Sequence, residues 1–307
     1  MTSPLPARVT LRDVTLRDGL QDEPAITTAA KVAVFEALVA AGVAELELTS
    51  FVRPDRVPAM ADADAFAAAT AATDVVRWAL VLNPRGAERA LAAGLRHLQY
   101  VVSVSDSHSR GNAGVDTETA LQGLESVLAV TRGSGASVEL TLATAFGCPH
   151  EQRVEPARVV AVACRGAAAG VVALGLADTI GVAVPSEVTA LIGAVGSEVG
   201  LPLGVHLHDT RGLGVANALA AIAAGVTRVD GSVGGLGGCP FAPGASGNMA
   251  LEDLAHALEA MGVATGVSTE GLVDAAALAC AAVGRPVGSH VGLAGPRFRA
   301  ARTGVPA

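Results

Sequence analysis

Two histidines one residue apart, His206 and His208 in the segment Gly204-Val-His-Leu-His-Asp-Thr210, are the chain's clearest chemical signal. Alternate side chains of an extended strand face the same way, so both imidazoles project to one face and Leu207 to the other. That geometry is a two-ligand bite for a divalent cation. Histidines at strand ends also serve simply as hydrogen-bond partners for loops, so the pair needs converging partners. Two are on offer: Asp18, in Leu16-Arg-Asp-Gly-Leu-Gln21, and Asn248, in Gly244-Ala-Ser-Gly-Asn248. A carboxylate, two imidazoles and an amide oxygen form a mixed oxygen/nitrogen set of the kind that holds Mg2+ or Mn2+ and leaves room for substrate oxygens. No thiolate is arranged to join them, which disfavours zinc. Taken singly, Asp18 before a glycine also reads as a solvated turn residue, and Asn248 as a left-handed turn or cap ahead of a helix.

The stretch 234–247 is the richest in glycine and carries Cys239 at its centre. It lacks the lysine of a phosphate-binding loop and the strand context of a dinucleotide fingerprint. Its reading is a mobile cover over the site. A solitary cysteine is usually a small buried hydrophobe, but one in a Gly/Pro-rich loop is badly placed for core packing, which favours a functional role.

These segments lie far apart in sequence, so the fold must bring them together. Short apolar or β-branched runs near 8–15, 44–50, 75–82, 98–105, 138–145, 171–177, 203–208 and 226–232 alternate with Ala-rich helical stretches such as 83–93 and 185–199. Eight β–α units predict an α/β fold, a closed (β/α)8 TIM barrel, whose sites collect at the carboxyl ends of the strands. Strands one, seven and eight are consecutive around such a ring, which puts Asp18, the His206/His208 pair and Asn248 at one mouth. The expected organisation is a catalytic barrel over 1–267 and a C-terminal helical extension and tail over 268–307, packed on the barrel.

Composition narrows the function. With 51% hydrophobic residues, 16% charged and 3% aromatic, the 307-residue chain is globular, its core packed from Ala, Val and Leu. A net charge of −8 without a cluster of Lys or Arg leaves no footprint for nucleic acid. No apolar run suffices for a membrane span, and the amino terminus has no secretory pattern. The four cysteines, Cys148, Cys164, Cys239 and Cys280, contain no C-x-x-C pair, so a reducing, cytoplasmic setting is expected. Lys31, the sole lysine, opens a predicted amphipathic helix, whereas Schiff-base chemistry wants a desolvated lysine at a strand end.

The motifs Arg17-Asp-Gly-Leu-Gln21, Glu47-Leu-Thr-Ser-Phe-Val52 with Val57-Pro58 after it, Gly147-Cys-Pro149, Asp178-Thr-Ile-Gly181, His206-Leu-His-Asp-Thr210 and Gly235-Leu-Gly-Gly-Cys-Pro-Phe241 with Gly244-Ala-Ser-Gly-Asn248 resemble the hydroxymethylglutaryl-CoA lyase family of DRE-type TIM barrels. The resemblance runs from about residue 8 to 284, and the Cys-bearing loop is its most specific part. It implies retro-Claisen cleavage of an acyl-CoA substrate, 3-hydroxy-3-methylglutaryl-CoA giving acetyl-CoA and acetoacetate, with Asp18, His206, His208 and Asn248 as ligands of Mg2+ or Mn2+. It further implies that Arg17 stabilises the thioester enolate, that Cys239 protonates it and that His206 handles the hydroxyl proton. Glu47 and Asp178, placed at strand ends, match acidic positions of the family and are read chiefly as hydrogen-bonding supports. A homodimer is the implied assembly. Three positions depart from the family pattern: Thr141 where a tyrosine is expected, Gly175 where a serine is, and Ala177 where a glycine is. A pocket so altered would either make room for a larger 3-hydroxyacyl group or lose a hydrogen bond to the substrate, and the nearest alternative is a lyase for citramalyl-CoA or a branched 3-hydroxyglutaryl-CoA. Two further alternatives are a synthase of the isopropylmalate type, against which the short C-terminal remainder argues, and a catalytically silent binding barrel, against which the complete ligand set argues.

Overall fold

Alternation along the strands dictates the architecture. In the computed structural model, which describes residues 5–238, 247–295 and 297, eight strands pair in parallel, each with its sequence neighbour, and β8 closes onto β1. They are β1 (Thr10–Asp13), β2 (Glu45–Ser50), β3 (Val76–Val81), β4 (His97–Ser103), β5 (Ser137–Ala143), β6 (Ala173–Asp178), β7 (Leu203–Leu207) and β8 (Arg228–Gly231). All eight fall on the runs expected from sequence. One parity, with Leu46, Leu98, Leu140, Leu174 and Val205, packs outward against the helices and is buried. The other parity faces the lumen, and there the chain places charge: Arg12, Glu139, His206, Arg228 and Asp230.

The surrounding helices are α1 (Thr28–Ala40), α2 (Ala63–Ala69), α3 (Pro84–Ala92), α4 (Asp106–Ala113), α5 (Thr117–Thr131), α6 (Pro156–Ala169), α7 (Pro185–Glu198), α8 (Gly214–Ala223) and α9 (Leu251–Ala260). Two more, α10 (Thr269–Val283) and α11 (His290–Ala294), follow. In α1 the buried stripe Lys31, Val34, Phe35 and Leu38 has i, i+3, i+4, i+7 spacing. Lys31 is thus buried, as a Schiff-base lysine would be, but it lies on the outer helical layer. Its ammonium donates to the Ala59 carbonyl at 2.6 Å and pairs with Asp62. Ser268 caps α10 by accepting from the Gly271 N–H, and α10 lies so close to α1 that a Cβ on Gly271 would sit 2.9 Å from the Ala41 Cβ. Among the described residues no helix is long and apolar enough to cross a membrane.

Two buried carboxylates tie the end of β1 to the segment after β8. Asp13 accepts from the Thr15 hydroxyl at 2.7 Å, and that hydroxyl accepts from the Val233 N–H. Glu252, at the start of α9, accepts from the Gly234 N–H at 2.9 Å. Burial pushes both up to about 7, and the Glu252 charge adds to the rise at Asp13. Because both folded-state values lie above the unfolded ones of 3.8 and 4.5, the native protein keeps protons that the unfolded chain releases across that window. The stability contributed by the pair is therefore full in acid and falls as pH rises towards 7. The melting temperature of Glu252→Gln should decline less between pH 5 and 7.5 than that of the parent; equal declines in a thermal melt series would refute the assignment.

Candidate metal centre and acyl pocket

The chain leaves β1 through one π-helical turn, Thr15–Gly19, which turns Asp18 towards the mouth of the barrel. On β7 the two histidines share a face as expected, with their Nε2 atoms 3.2 Å apart. Asp18 Oδ2 lies 3.7 Å from His206 Nε2 and 3.8 Å from His208 Nε2. The fourth residue arrives by backbone pairing. Residues 248 and 208 form an antiparallel bridge, the Asp209 N–H donates to Gly247 O, and the Met249 N–H donates to Leu207 O. Gly247 has φ +98°, and a Cβ there would lie 2.4 Å from Gly237 O, so glycine is required for this close return. Asn248 Nδ2 donates to Asp18 Oδ2 at 2.7 Å and to Leu236 O at 3.1 Å. These two acceptors fix the amide orientation and leave Oδ1 buried without a partner.

The electrostatics favour an ionised carboxylate beside the imidazoles. Burial alone would raise the Asp18 carboxyl, but Arg17 and the two histidines outweigh it and hold the group well below the usual carboxylate range. Burial likewise works against charge on His206, while Asp230 and Asp18 draw its value upward. Arg17 donates from one Nη to Asp18 at 2.6 Å and from the other to Glu47 at 2.7 Å, leaving its Nε–H buried and unpaired. Burial raises Glu47, with Arg17 pulling the other way. Glu47 stands in the interior of β2, not at its end, beside a register irregularity between Glu47 and Thr49 that re-aims the strand.

Asp178 does close its strand, β6, but both its oxygens accept from the following loop, at the Val182 and Ala183 N–H groups. It thereby shapes the turn beside the mouth. Cys239, Ala245 and Ser246 lie outside the described residues.

Sequence reasoning missed a buried charge network beneath the site. Arg12 donates to both oxygens of Glu139, at 3.2 and 3.1 Å, and to Glu45 at 3.1 Å, and its guanidinium stacks over Trp78 at 4.1 Å. Arg228 reaches from β8 over Gly204 and Gly175 to pair with Glu139. Its Nε is 3.4 Å from Asp230, whose other oxygen lies 3.8 Å from His206 Nδ1. The available signal was charge at lumen-facing parity within strands expected to be fully buried.

Two of the three departures from the family pattern, Thr141 and Gly175, are neighbours. Thr141 and Gly175 pair across β5 and β6, and the Thr141 hydroxyl accepts from Gln99 Nε2 at 2.8 Å. A Cβ on Gly175 would lie 2.8 Å from Thr141 Oγ1 and 3.3 Å from Arg228 Nη2. The two departures are therefore coupled, because the glycine accommodates both the threonine hydroxyl and the arginine.

An eight-stranded barrel that gathers a carboxylate, two imidazoles and an amide oxygen at its carboxyl mouth, beside a buried Arg–Glu pair, has the form of a barrel enzyme. The HMGL-like family profile matches residues 8–279, and the chain belongs to that family. It is 42% identical over 303 residues to (R)-citramalyl-CoA lyase of Chloroflexus aurantiacus, covering 94% of this chain and 96% of that one. It is 38% identical over 290 residues to the hydroxymethylglutaryl-CoA lyase YngG of Bacillus subtilis, covering 94% and 97%. The crystal structure of the B. subtilis HMG-CoA lyase superposes with a TM-score of 0.91 at 38% identity, covering 95% and 99% of the chains. An HMG-CoA lyase from Acinetobacter baumannii in complex with coenzyme A and 3-methylmalate gives 0.92 at 33% identity with full coverage of both.

Proposed function

We propose that this chain is a carbon–carbon lyase of the hydroxymethylglutaryl-CoA lyase type, cleaving 3-hydroxy-3-methylglutaryl-CoA to acetyl-CoA and acetoacetate. One observation carries the reading: Asp18, His206 and His208 present ligand atoms within 4.8 Å of one another, and the orphaned Asn248 Oδ1 is buried beside Asp18. Oxygen and nitrogen donors without a thiolate suit Mg2+ or Mn2+. Such an ion supplies Lewis acidity towards the substrate's tertiary hydroxyl and a fixed point for its oxygens. The protein's own part is charge placement. Breaking the bond between the carbinol carbon and its neighbour leaves an electron pair on the thioester enolate, and the Arg17 guanidinium, held by Glu47 and Asp18, is a counter-charge that needs no reorganisation. Cys239, which the family resemblance places on the loop over the mouth, supplies the proton that the enolate carbon takes up. Both ring nitrogens of His206 are turned towards other groups, Nε2 towards His208 and Asp18 and Nδ1 towards Asp230, so we assign His206 to the ion; the proton that the tertiary hydroxyl gives up passes to Glu47, whose Oε1 is buried without a partner and whose proton affinity burial raises.

The test is product-resolved turnover by the purified protein with Mg2+ or Mn2+, alongside a chelator and His206→Ala. Acetyl-CoA and acetoacetate formed by the parent and lost in both controls support the reading; bound metal without cleavage overturns the substrate, and no bound metal overturns the centre.

A second reading is favoured by the citramalyl-CoA lyase relative together with the small side chains at Thr141 and Gly175. It makes citramalyl-CoA the better substrate. Because Thr141 and Gly175 are coupled, Gly175→Ser alone should lower the melting temperature by several degrees. Thr141→Tyr with Gly175→Ser should raise cleavage of 3-hydroxy-3-methylglutaryl-CoA relative to citramalyl-CoA. An unchanged ratio in a two-substrate assay would remove these positions from the account of specificity.

A further inference from the structure

We propose that Asp230 is a positioning residue that fixes the His206 ring, with its proton on Nδ1 and the Nε2 lone pair turned towards the ion. The inference rests on the metal-centre reading above. A neutral imidazole carries a single N–H, and a ring nitrogen that bears it cannot be a ligand. With the two Nε2 atoms 3.2 Å apart and Asp18 within 3.8 Å of each, both histidines serve as ligands only if their protons sit on Nδ1. At His208 nothing specifies this, since its Nδ1 is buried without a partner. At His206 the facing group is Asp230, a register neighbour on β8 whose Oδ2 lies 3.8 Å from Nδ1.

Asp230 is suited to the task because it is buried beside a network of charged side chains. Arg228, which approaches its Oδ1, is paired with Glu139. Glu139 is held by both arms of Arg12, and Arg12 by Glu45. The network runs from β8 to β5, then to β1 and β2, so it connects the strand of Asp230 to three others. Its three carboxylates exceed its two guanidiniums by one negative charge, placed below the histidine pair on the side away from the mouth. A carboxylate behind a histidine ligand raises the basicity of that ligand, and losing one typically costs 10–100-fold in metal affinity.

Mn2+ binding to the full-length protein by titration calorimetry, with 15N spectra of the histidines in the protein loaded with diamagnetic Mg2+, tests the proposal. In the parent, His206 should show an unprotonated Nε2. Asp230→Asn and Asp230→Ala should bind Mn2+ about 10–100-fold more weakly, with partial recovery in Asp230→Glu and an unchanged KM for the acyl-CoA at saturating Mn2+. A merely structural role would lower the melting temperature without moving Mn2+ affinity. Affinity within threefold of the parent, or a His206 protonated on Nε2, overturns the proposal. If the substituted proteins do not fold, the tautomer in the parent decides. A parent that binds no Mn2+ refutes the metal centre, a result distinct from parent-like affinity in the Asp230 variants, which refutes only the positioning role.

Discussion

Arg17→Gln is expected to lower kcat for acyl-CoA cleavage by about a thousandfold with little change in KM, and Arg17→Lys to restore no more than about tenfold of that loss. Removing one preorganised donor from developing negative charge costs about 3–4 kcal/mol in kcat, and here the donor is also a full charge. The geometry explains why lysine is a poor substitute. Arg17 uses one Nη for Asp18 and the other for Glu47 and still has an uncommitted Nε–H. An ammonium offers no planar fork to satisfy two carboxylates while keeping a third N–H in register. Because the charge that Arg17 meets exists only in the transition state, the loss belongs in kcat. Steady-state release of acetyl-CoA at saturating metal measures it, and a kcat within tenfold of the parent would remove Arg17 from enolate stabilisation.

Gly204→Ala should cost about 3 kcal/mol of stability or more, although residue 204 is two positions from the nearest proposed ligand. A Cβ there would stand 1.9–2.3 Å from Nη2, Nε and Cζ of Arg228. The flexible end of an arginine ordinarily yields to such a contact. This one is pinned by Glu139 on the far side of β6, so admitting the methyl means breaking the pair, and breaking a buried pair costs about 3–5 kcal/mol. A loss of that size lowers the melting temperature by roughly 6–15 °C in a barrel of this length. Removing the arginine at the same time does not rescue the protein, because Glu139 would then lose one of its two cations. A melting temperature within two degrees of the parent would show that the lumen has more room than the register implies.

The site was legible where its chemistry is local in the chain. His206 and His208 share a face because strands alternate, and only Val14 separates the end of β1 from the π-helical turn that aims Asp18. Asn248 was a weaker signal, an ambiguous turn residue until the closing of the ring put it against His208. Glu47 was read as a strand-end residue although the expected run 44–50 already enclosed it, and the structure places it inside β2. Asp178 was placed correctly, but its two hydrogen bonds to the loop depend on how that loop returns.

The eight strands, their order, the helical layer and the residue types of the candidate ligands can all be read from the chain alone, since each follows from periodicity, capping and residue chemistry within short windows. The Arg12–Glu139–Arg228–Asp230 network, the coupling of Thr141 to Gly175 and the buried pair Asp13 and Glu252 emerge only from the folded arrangement. In those cases the partners lie on strands or segments far apart in sequence. Which side chains meet across the lumen is set by the register in which the barrel closes and by the reach of an arginine over two glycines, and no local pattern encodes either.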